Sequence, residues 1–345
     1  MEYKLLAVSS FNEVNIGDYI QALAASQFLP DRNGFVEREE LKSYTGKPCK
    51  IIMNGWFMHN PEEWPPAPQI SPLFIAFHIN SLAQAQLLSR QSLDYLKMHE
   101  PIGCRDTATA DMLVKEGIKA YFSGCLTLTL GYKYKAAQRD GNIYFVDPYF
   151  VTNWTITTTI KSAVYLFLHW KAINTIARKH PEQKTGLRKR FILANFYKQY
   201  VRVFTKSVLF NATYICQQNT DYRKKFATDE ALLNEAERLV QLYAKATLVV
   251  TSRIHCALPC LGLNTPVIYT ENSSQSEASR CRLGGLRELF NVMLWKDGKL
   301  QPEFPLNGKI SSTDNIPVNK QKWMPLAENI KECIEKWIRQ TSAKH

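Results

Sequence analysis

The chain has 345 residues, 45% of them hydrophobic and 21% charged, which is the composition of a folded globular protein too long for one hydrophobic core. The best apolar run, Ser162–Trp170, is too short to span a bilayer and is bounded by Lys161 and Lys171, and Met1–Ser10 carries no cleavage-site pattern of a secretory signal. The formal charge of +12 is uneven: Lys161–Lys206 holds eleven Lys/Arg against one acid, Glu182, so the rest of the chain is nearly balanced at +2 and the excess is a local patch.

In chain order, Leu5–Val8 reads as an apolar strand. A polar loop through Asn15, Gly17 and Asp18 follows, and then a helix beginning near Tyr19. A loop of that kind, between a first strand and a first helix, is where doubly wound α/β folds hold ligands. It matches neither a dinucleotide nor a Walker loop, and Asn15 and Asp18 equally suit an Asx-turn and a helix cap. Ile51–Met53 reads as a buried strand ending in Asn54-Gly55-Trp56. Leu73–Phe77 is the next strand and leads through His78 and Asn80 into a helix over Leu82–Leu88. His78 at a strand end is placed either to face a cleft or to serve as a satisfied structural histidine.

Ile102–Asp106 reads as a short strand, Thr107–Glu116 as a helix ended by Gly117, and Lys119–Phe122 and Asn142–Asp147 as further strands. Strands alternating with helices of about ten residues call for parallel βαβ units. Arg105 lies at the carboxyl end of its strand, the edge where such sheets bind ligands, unless it simply pairs with Asp106. The alternation places a first domain at 1–150, an insert at 151–210, a second domain at 211–325 and a C-terminal helix at 326–345 that packs back.

The insert mixes its cations with Tyr165, Phe167, Trp170, Phe191, Phe196, Tyr197, Tyr200 and Phe204. Such a mixture fits an interface with anionic lipid, a single-stranded nucleic acid site, or a core-packed layer with a basic outer face. After it come a strand at Ala212–Cys216 and a helix capped by Thr228 or Asp229, with Leu232, Ala236, Leu239, Val240 and Tyr243 on one face. The strand Val267–Tyr269 precedes Arg280, Arg282 and Arg287, which are suited to closing on an anion from the second domain. From Pro325 a last helix carries Leu326, Ile330, Cys333, Ile334, Trp337 and Ile338 on one stripe.

The most informative stretch is Leu248–Leu258. An apolar run ends at Thr251-Ser252, and a helical pattern follows to Gly262. With Thr251 or Ser252 as N-cap, Arg253 and His255 fall in the first turn, where unpaired N–H groups and the helix dipole favour an anion. Arg253 adds a planar donor fork, and His255 adds a group that moves a proton near neutral pH. The competing reading has Arg253 capping the helix or paired with a nearby acid. The eight cysteines form no C-x-x-C pair, and no ligand cluster has metal spacing. The thiols read as reduced, as in a cytoplasmic protein.

Asn15-Ile16-Gly17-Asp18, Gly103-Cys104-Arg105-Asp106 and Val250-Thr251-Ser252-Arg253-Ile254-His255, each leading into a helix, together resemble the polysaccharide pyruvyl transferase family over roughly residues 5–270. The resemblance implies two Rossmann-like domains facing across a cleft, an architecture similar to GT-B glycosyltransferases. It also implies transfer of the enolpyruvyl-derived group of phosphoenolpyruvate to a sugar of a polysaccharide or its lipid-linked precursor, giving a pyruvate ketal and phosphate. It makes His255 the acid/base. It places the donor's anions near Arg253, Arg105 and Ser252, and puts Asn15, Gly17, Asp18, Asn54 and His78 on the acceptor side of the cleft. Cys256 stands where the family often has Gly, and the family's Gly-rich strand end is reduced to Asn54-Gly55-Trp56. No cofactor or metal is expected beyond phosphoenolpyruvate itself. With lipid-linked acceptors implied, residues 161–206 are expected at an anionic inner-membrane face, and nucleic acid is not expected. A nucleotide-sugar glycosyltransferase on the same architecture, or a non-catalytic binder of anionic lipid or RNA, uses the same anion-site physics.

Overall fold

A computed structural model describes residues 1–9, 13–152, 156–182, 184–219, 222–274 and 281–342. Arg280 lies outside them. Two six-stranded, parallel-rich sheets are present among the described residues. The first contains β1 (Glu2–Ala7), β3 (Phe35–Glu37), β4 (Cys49–Phe57), β5 (Ile70–Ile79), β6 (Ile102–Cys104) and β7 (Ala120–Phe122) in the order β3-β1-β4-β5-β6-β7. All of its pairings are parallel. The second contains β8 (Ile143–Val146), β9 (Thr213–Ile215), β11 (Leu248–Thr251), β12 (Val267–Asn272), β13 (Asn291–Lys296) and β14 (Lys299–Pro302) in the order β14-β13-β12-β11-β8-β9. It is parallel except for the edge strand β14.

The expected α/β class with two Rossmann-like units is what the chain forms. Strands such as β4, β5 and β11 are mostly apolar and buried because both faces of a parallel sheet are covered. One strand changes sides relative to the sequence reading. Ile143–Val146, expected to close the first domain, pairs with β11 and β9 in the second sheet. The boundary between sheets therefore falls between Phe122 and Ile143.

A third, two-stranded antiparallel sheet joins β2 (Val14–Asn15) to β10 (Gln218–Asn219), so the two halves share backbone hydrogen bonds at the mouth of the cleft. Directly after β2, α1 (Ile16–Ser26) packs on the helices Asp229–Lys245 and Ile254–Gly262. Tyr19, Ile20 and Leu23 from the first half and Leu232, Ala236 and Leu239 from the second belong to one continuous core. Polar ties reinforce it: Tyr19 donates to Asp229 at 2.7 Å, and Arg32 makes a two-pronged pair with Glu230 at 2.8 and 2.7 Å.

Two more cores lie on the outer faces of the sheets. That of the second sheet is covered by α2 (Ile156–Leu168), α3 (Trp170–Lys179) and α4 (Gly186–Tyr200). The basic insert is thus a packed layer. Phe196, Tyr197, Tyr200 and Phe204 are buried in it, while Phe167 and Trp170 face outward. The last helix, α5 (Met324–Ser342), returns to the first sheet. Its Trp337 lies edge-on to Tyr3, with ring centroids 6.3 Å apart, and Lys50 Nζ sits 4.4 Å from the Trp337 ring. No helix among the described residues is long and apolar enough to cross a membrane.

Candidate active site

Between the two halves lies a cavity of about 550 Å³. Glu13, Asn15, Asp18, Arg38, Trp56, His59 and Asn80 line it from the first half, and Gln217, Gln218, Ser252, Arg253, His255, Tyr269 and Arg282 from the second.

On the second side, the strand-to-helix turn is built differently from the sequence reading. Arg253, in extended conformation, occupies the N-cap position of the Ile254–Gly262 helix, and its side chain makes no cap hydrogen bond. Thr251 Oγ1 accepts the Arg253 N–H at 2.9 Å, closing a local turn before the helix begins. Ser252 donates its hydroxyl to the Asp147 carbonyl at 2.6 Å, so its proton is committed and is not offered to an anion. Asp147 is also the reason Arg253 is not a free fork. Arg253 Nε donates to Asp147 Oδ2 at 3.0 Å, and Nη1 donates to Gln218 Oε1 at 2.9 Å. The same carboxylate accepts the Gln217 N–H at 2.9 Å, tying the turn to the strand that bridges the halves. Arg253 lines the cavity, but its charge is largely answered by Asp147.

His255 follows with φ −83° and ψ 17°, a break in the helical backbone that sets its ring against the first half. Its Nε2 is buried and has no hydrogen-bond partner among the described residues. Burial holds the imidazole well below its ordinary pKa, and the nearby Arg105 and Arg282 charges add to the effect.

From the first side comes α1. Asn15 caps it, its side chain accepting the Gly17 N–H at 3.1 Å, which is the Asx-type role. Gly17 is required by a close approach: a Cβ there would lie 2.9 Å from His255 Cβ. Asp18 faces the cavity, accepts from Gln21 Nε2 at 3.2 Å and lies 3.8 Å from Arg38 Nη1. Burial raises its carboxyl above the usual range, opposed by Arg38 and Arg105.

Arg105 is the most unusual residue of the group. It is fully buried behind the cavity wall, and its Nε, Nη1 and Nη2 have no hydrogen-bond acceptor among the described residues. Its neighbour Asp106 stands 3.9 Å from Nε but is occupied elsewhere. That carboxylate takes His78 Nδ1 at 2.6 Å, the Thr109 N–H at 2.9 Å and the Thr109 hydroxyl at 3.0 Å. A desolvated guanidinium with one distant ion-pair partner and no hydrogen-bond acceptor is costly to the fold.

Two expected cleft residues are structural. His78 is enclosed by Asp106 and Thr109, and burial followed by the Arg105 charge pushes its pKa down to about 4. Asn54 is buried and donates to the Gln21 carbonyl at 3.1 Å, fastening β4 to α1. Neither lines the cavity, because each side chain is taken up behind its wall, Asn54 by α1 and His78 by Asp106 and Thr109 at the start of the helix Thr107–Lys115.

The sequence reading passed over Arg38 and His59. Arg38 sits in the run Glu37-Arg38-Glu39-Glu40, which looks like a solvated face, yet it is buried. It donates to Glu39 at 2.8 Å and lies 5.3 Å from the Trp56 ring. Glu39 in turn accepts the N–H groups of His59 and Asn60 at 2.8 and 2.7 Å, holding the His59 ring 4.3 Å from Trp56. Only the buried pairing of Glu39 reveals the role of this segment, and the primary sequence carries no such signal.

Among solved structures, the chain is similar to a functional uncharacterized protein of Klebsiella pneumoniae subsp. pneumoniae NTUH-K2044. The similarity covers 86% of this chain and 93% of that one, with 12% sequence identity and a TM-score of 0.42. No curated protein sequence matches the chain. The family model described as polysaccharide pyruvyl transferase matches residues 15–274, a span holding the Asn15 cap, Arg105 and the Arg253–His255 turn, and the chain belongs to that family.

Proposed function

We propose that the cavity transfers the pyruvyl group of phosphoenolpyruvate to a pair of hydroxyls on one sugar residue of a polysaccharide or its lipid-linked precursor. The observation that carries this reading is the Arg105 guanidinium, buried without an acceptor beside an imidazole whose Nε2 is also unpartnered. A carboxylate or phosphate satisfies both, and phosphoenolpyruvate carries one of each. Arg282, exposed on the cavity wall, is the second cation we assign to the donor. Arg253 holds the geometry of the turn through Asp147 rather than serving as the main anchor.

Burial, with the Arg105 and Arg282 charges, favours the neutral imidazole of His255. A bound trianionic donor offsets the field of Arg105 and Arg282, raises the imidazole pKa and lets it take up a proton. His255 then protonates the methylene carbon, and a sugar hydroxyl attacks the resulting oxocarbenium-like carbon and loses its own proton to the imidazole. Phosphate leaves, the second hydroxyl adds to the same carbon, and its proton departs with the phosphate. The two hydroxyl protons thus end on the new methyl group and on inorganic phosphate. For the acceptor we assign the Trp56–His59 face, an aromatic platform stiffened by Arg38, with Asn80 and Glu13 available to sugar hydroxyls.

Thermal shift and phosphate release test this reading. Phosphoenolpyruvate is expected to raise Tm, and a sugar with adjacent free hydroxyls to trigger phosphate release. Stabilisation by nucleoside diphosphates with none by phosphoenolpyruvate would reassign the site to a nucleotide-sugar glycosyltransferase.

A further inference from the structure

The helical layer over the second sheet presents two apolar faces. On α2, Ser162 and Leu166 are buried on the side that packs on α4, where the Ser162 hydroxyl donates to Asn195 at 3.4 Å. On the opposite flank, Ile160, Val164, Phe167 and Leu168 fall within about 100° of one another around the helix axis. They are 60%, 55%, 81% and 68% exposed. Leu187, at the start of α4, is 62% exposed, and an apolar recess of about 420 Å³ is walled by Thr159, Leu187, Arg188 and Phe191. A contiguous apolar surface of this kind marks a contact with something apolar.

What it contacts is indicated by charge. The surrounding segment carries eleven cations, and none of them is ion-paired to Asp or Glu among the described residues. Lys161, Lys198 and Arg202 converge with Asn195 on a smaller recess of about 190 Å³, walled on one side by Trp295. We infer that α2 and α4 form a docking surface for anionic membrane lipid, with the aliphatic stripe entering the acyl boundary and the Lys161–Lys198–Arg202 recess receiving a phosphate head group. Single-stranded nucleic acid would need open aromatic rings to stack on. Here Phe196, Tyr197, Tyr200 and Phe204 are buried, and the exposed stripe is mainly aliphatic. A second copy of the chain would bring a like-charged segment against this one.

This surface does not depend on the proposed reaction, and its test reads binding alone. The full chain is sedimented with vesicles of phosphatidylcholine and phosphatidylglycerol in equal parts, and with phosphatidylcholine vesicles as the comparison. Binding is expected to the anionic vesicles only and to weaken with salt. Phe167→Glu/Leu168→Glu and Lys161→Gln/Lys198→Gln/Arg202→Gln are each expected to lower the partition coefficient about tenfold, with Tm unchanged. The native chain gives an independent reading through quenching of tryptophan emission by brominated acyl chains, which Trp170→Phe is expected to diminish. Equal binding to both vesicle types, no binding to either, or retained binding by the Phe167→Glu/Leu168→Glu chain would overturn the inference. So would a dimer in light scattering that this variant dissociates.

Discussion

Gly17 and His255 come from opposite halves of the molecule and touch so closely that one methyl group on Gly17 would sit 2.9 Å from His255 Cβ and 3.2 Å from Nδ1. The first turn of α1 is therefore the wall that sets the imidazole's position. Gly17→Ala is expected to displace the ring, lowering kcat by about 10²-fold while costing only about 1–3 kcal/mol of stability. Steady-state kinetics beside urea unfolding separate the two. Unchanged kcat would mean that the ring has room to yield.

Arg105 offers an opposite trade. Replacing a buried guanidinium that has no hydrogen-bond acceptor with Met removes a desolvated charge, while Asp106 keeps His78 and Thr109, so Arg105→Met is expected to stabilise the protein without donor by about 1–3 kcal/mol. The same change should abolish the Tm increase caused by phosphoenolpyruvate. A destabilised variant that still responds to the donor would show that Arg105 serves the fold and not the ligand.

His255→Ala is expected to lower turnover by about 10²–10⁴-fold with the fold intact. Because burial and two arginines depress the imidazole pKa, donor binding near pH 7 should be accompanied by proton uptake. Titration calorimetry in buffers of different ionisation enthalpy measures it, and the uptake should vanish in His255→Ala. Uptake of the same size in the variant would assign the proton to another group.

Acid sensitivity follows from the same physics. His78 and His180 are both pushed down to about 4 by burial, followed by a nearby cation, and His255 is lowered as well. An unfolded histidine binds a proton near pH 6.5, so between about 6.5 and 4 the unfolded chain holds more protons than the folded one. Stability should thus be full above pH 6.5 and fall as pH drops through that window, by at most about 1.4 kcal/mol per pH unit for each histidine. Urea midpoints at pH 7.5 and 5 check the slope, which His180→Gln should reduce. A flat profile would mean that these rings reach solvent.

The parts of the fold that were legible are those in which local pattern and burial agree. The apolar runs of β4, β5 and β11 and the Thr228-capped helix Asp229–Lys245 lie where periodicity and capping put them. Sheet membership was not legible, since Ile143–Val146 has no local feature that says which parallel neighbour it will join. The β2–β10 ribbon is not legible in the sequence because two-residue strands leave no pattern and the pairing of Gln218 with Asn15 crosses most of the chain. In the site, Asn15, Asp18, Arg253 and His255 were visible as residues at element ends, and all four line the cavity. Neither Thr251 nor Ser252 caps the helix, and the sequence could not show it for Ser252, whose acceptor, the Asp147 carbonyl, is remote in the chain. Nothing local in the sequence shows that Asp106 takes up His78 and that the Gln21 carbonyl of α1 takes up Asn54.

The continuous core that joins α1 to the helices of the second half has a mechanical consequence. Prising the halves apart would expose Tyr19, Ile20, Leu23, Leu232 and Leu239 to water, at on the order of 1.5–3 kcal/mol for each large side chain. The molecule is therefore a fixed jaw and not a clamshell. Substrates must thread into a slot of nearly constant width, and discrimination among sugars falls to the shape of that slot and to small side-chain adjustments around Arg282. Neither half should survive as a separately expressed fragment.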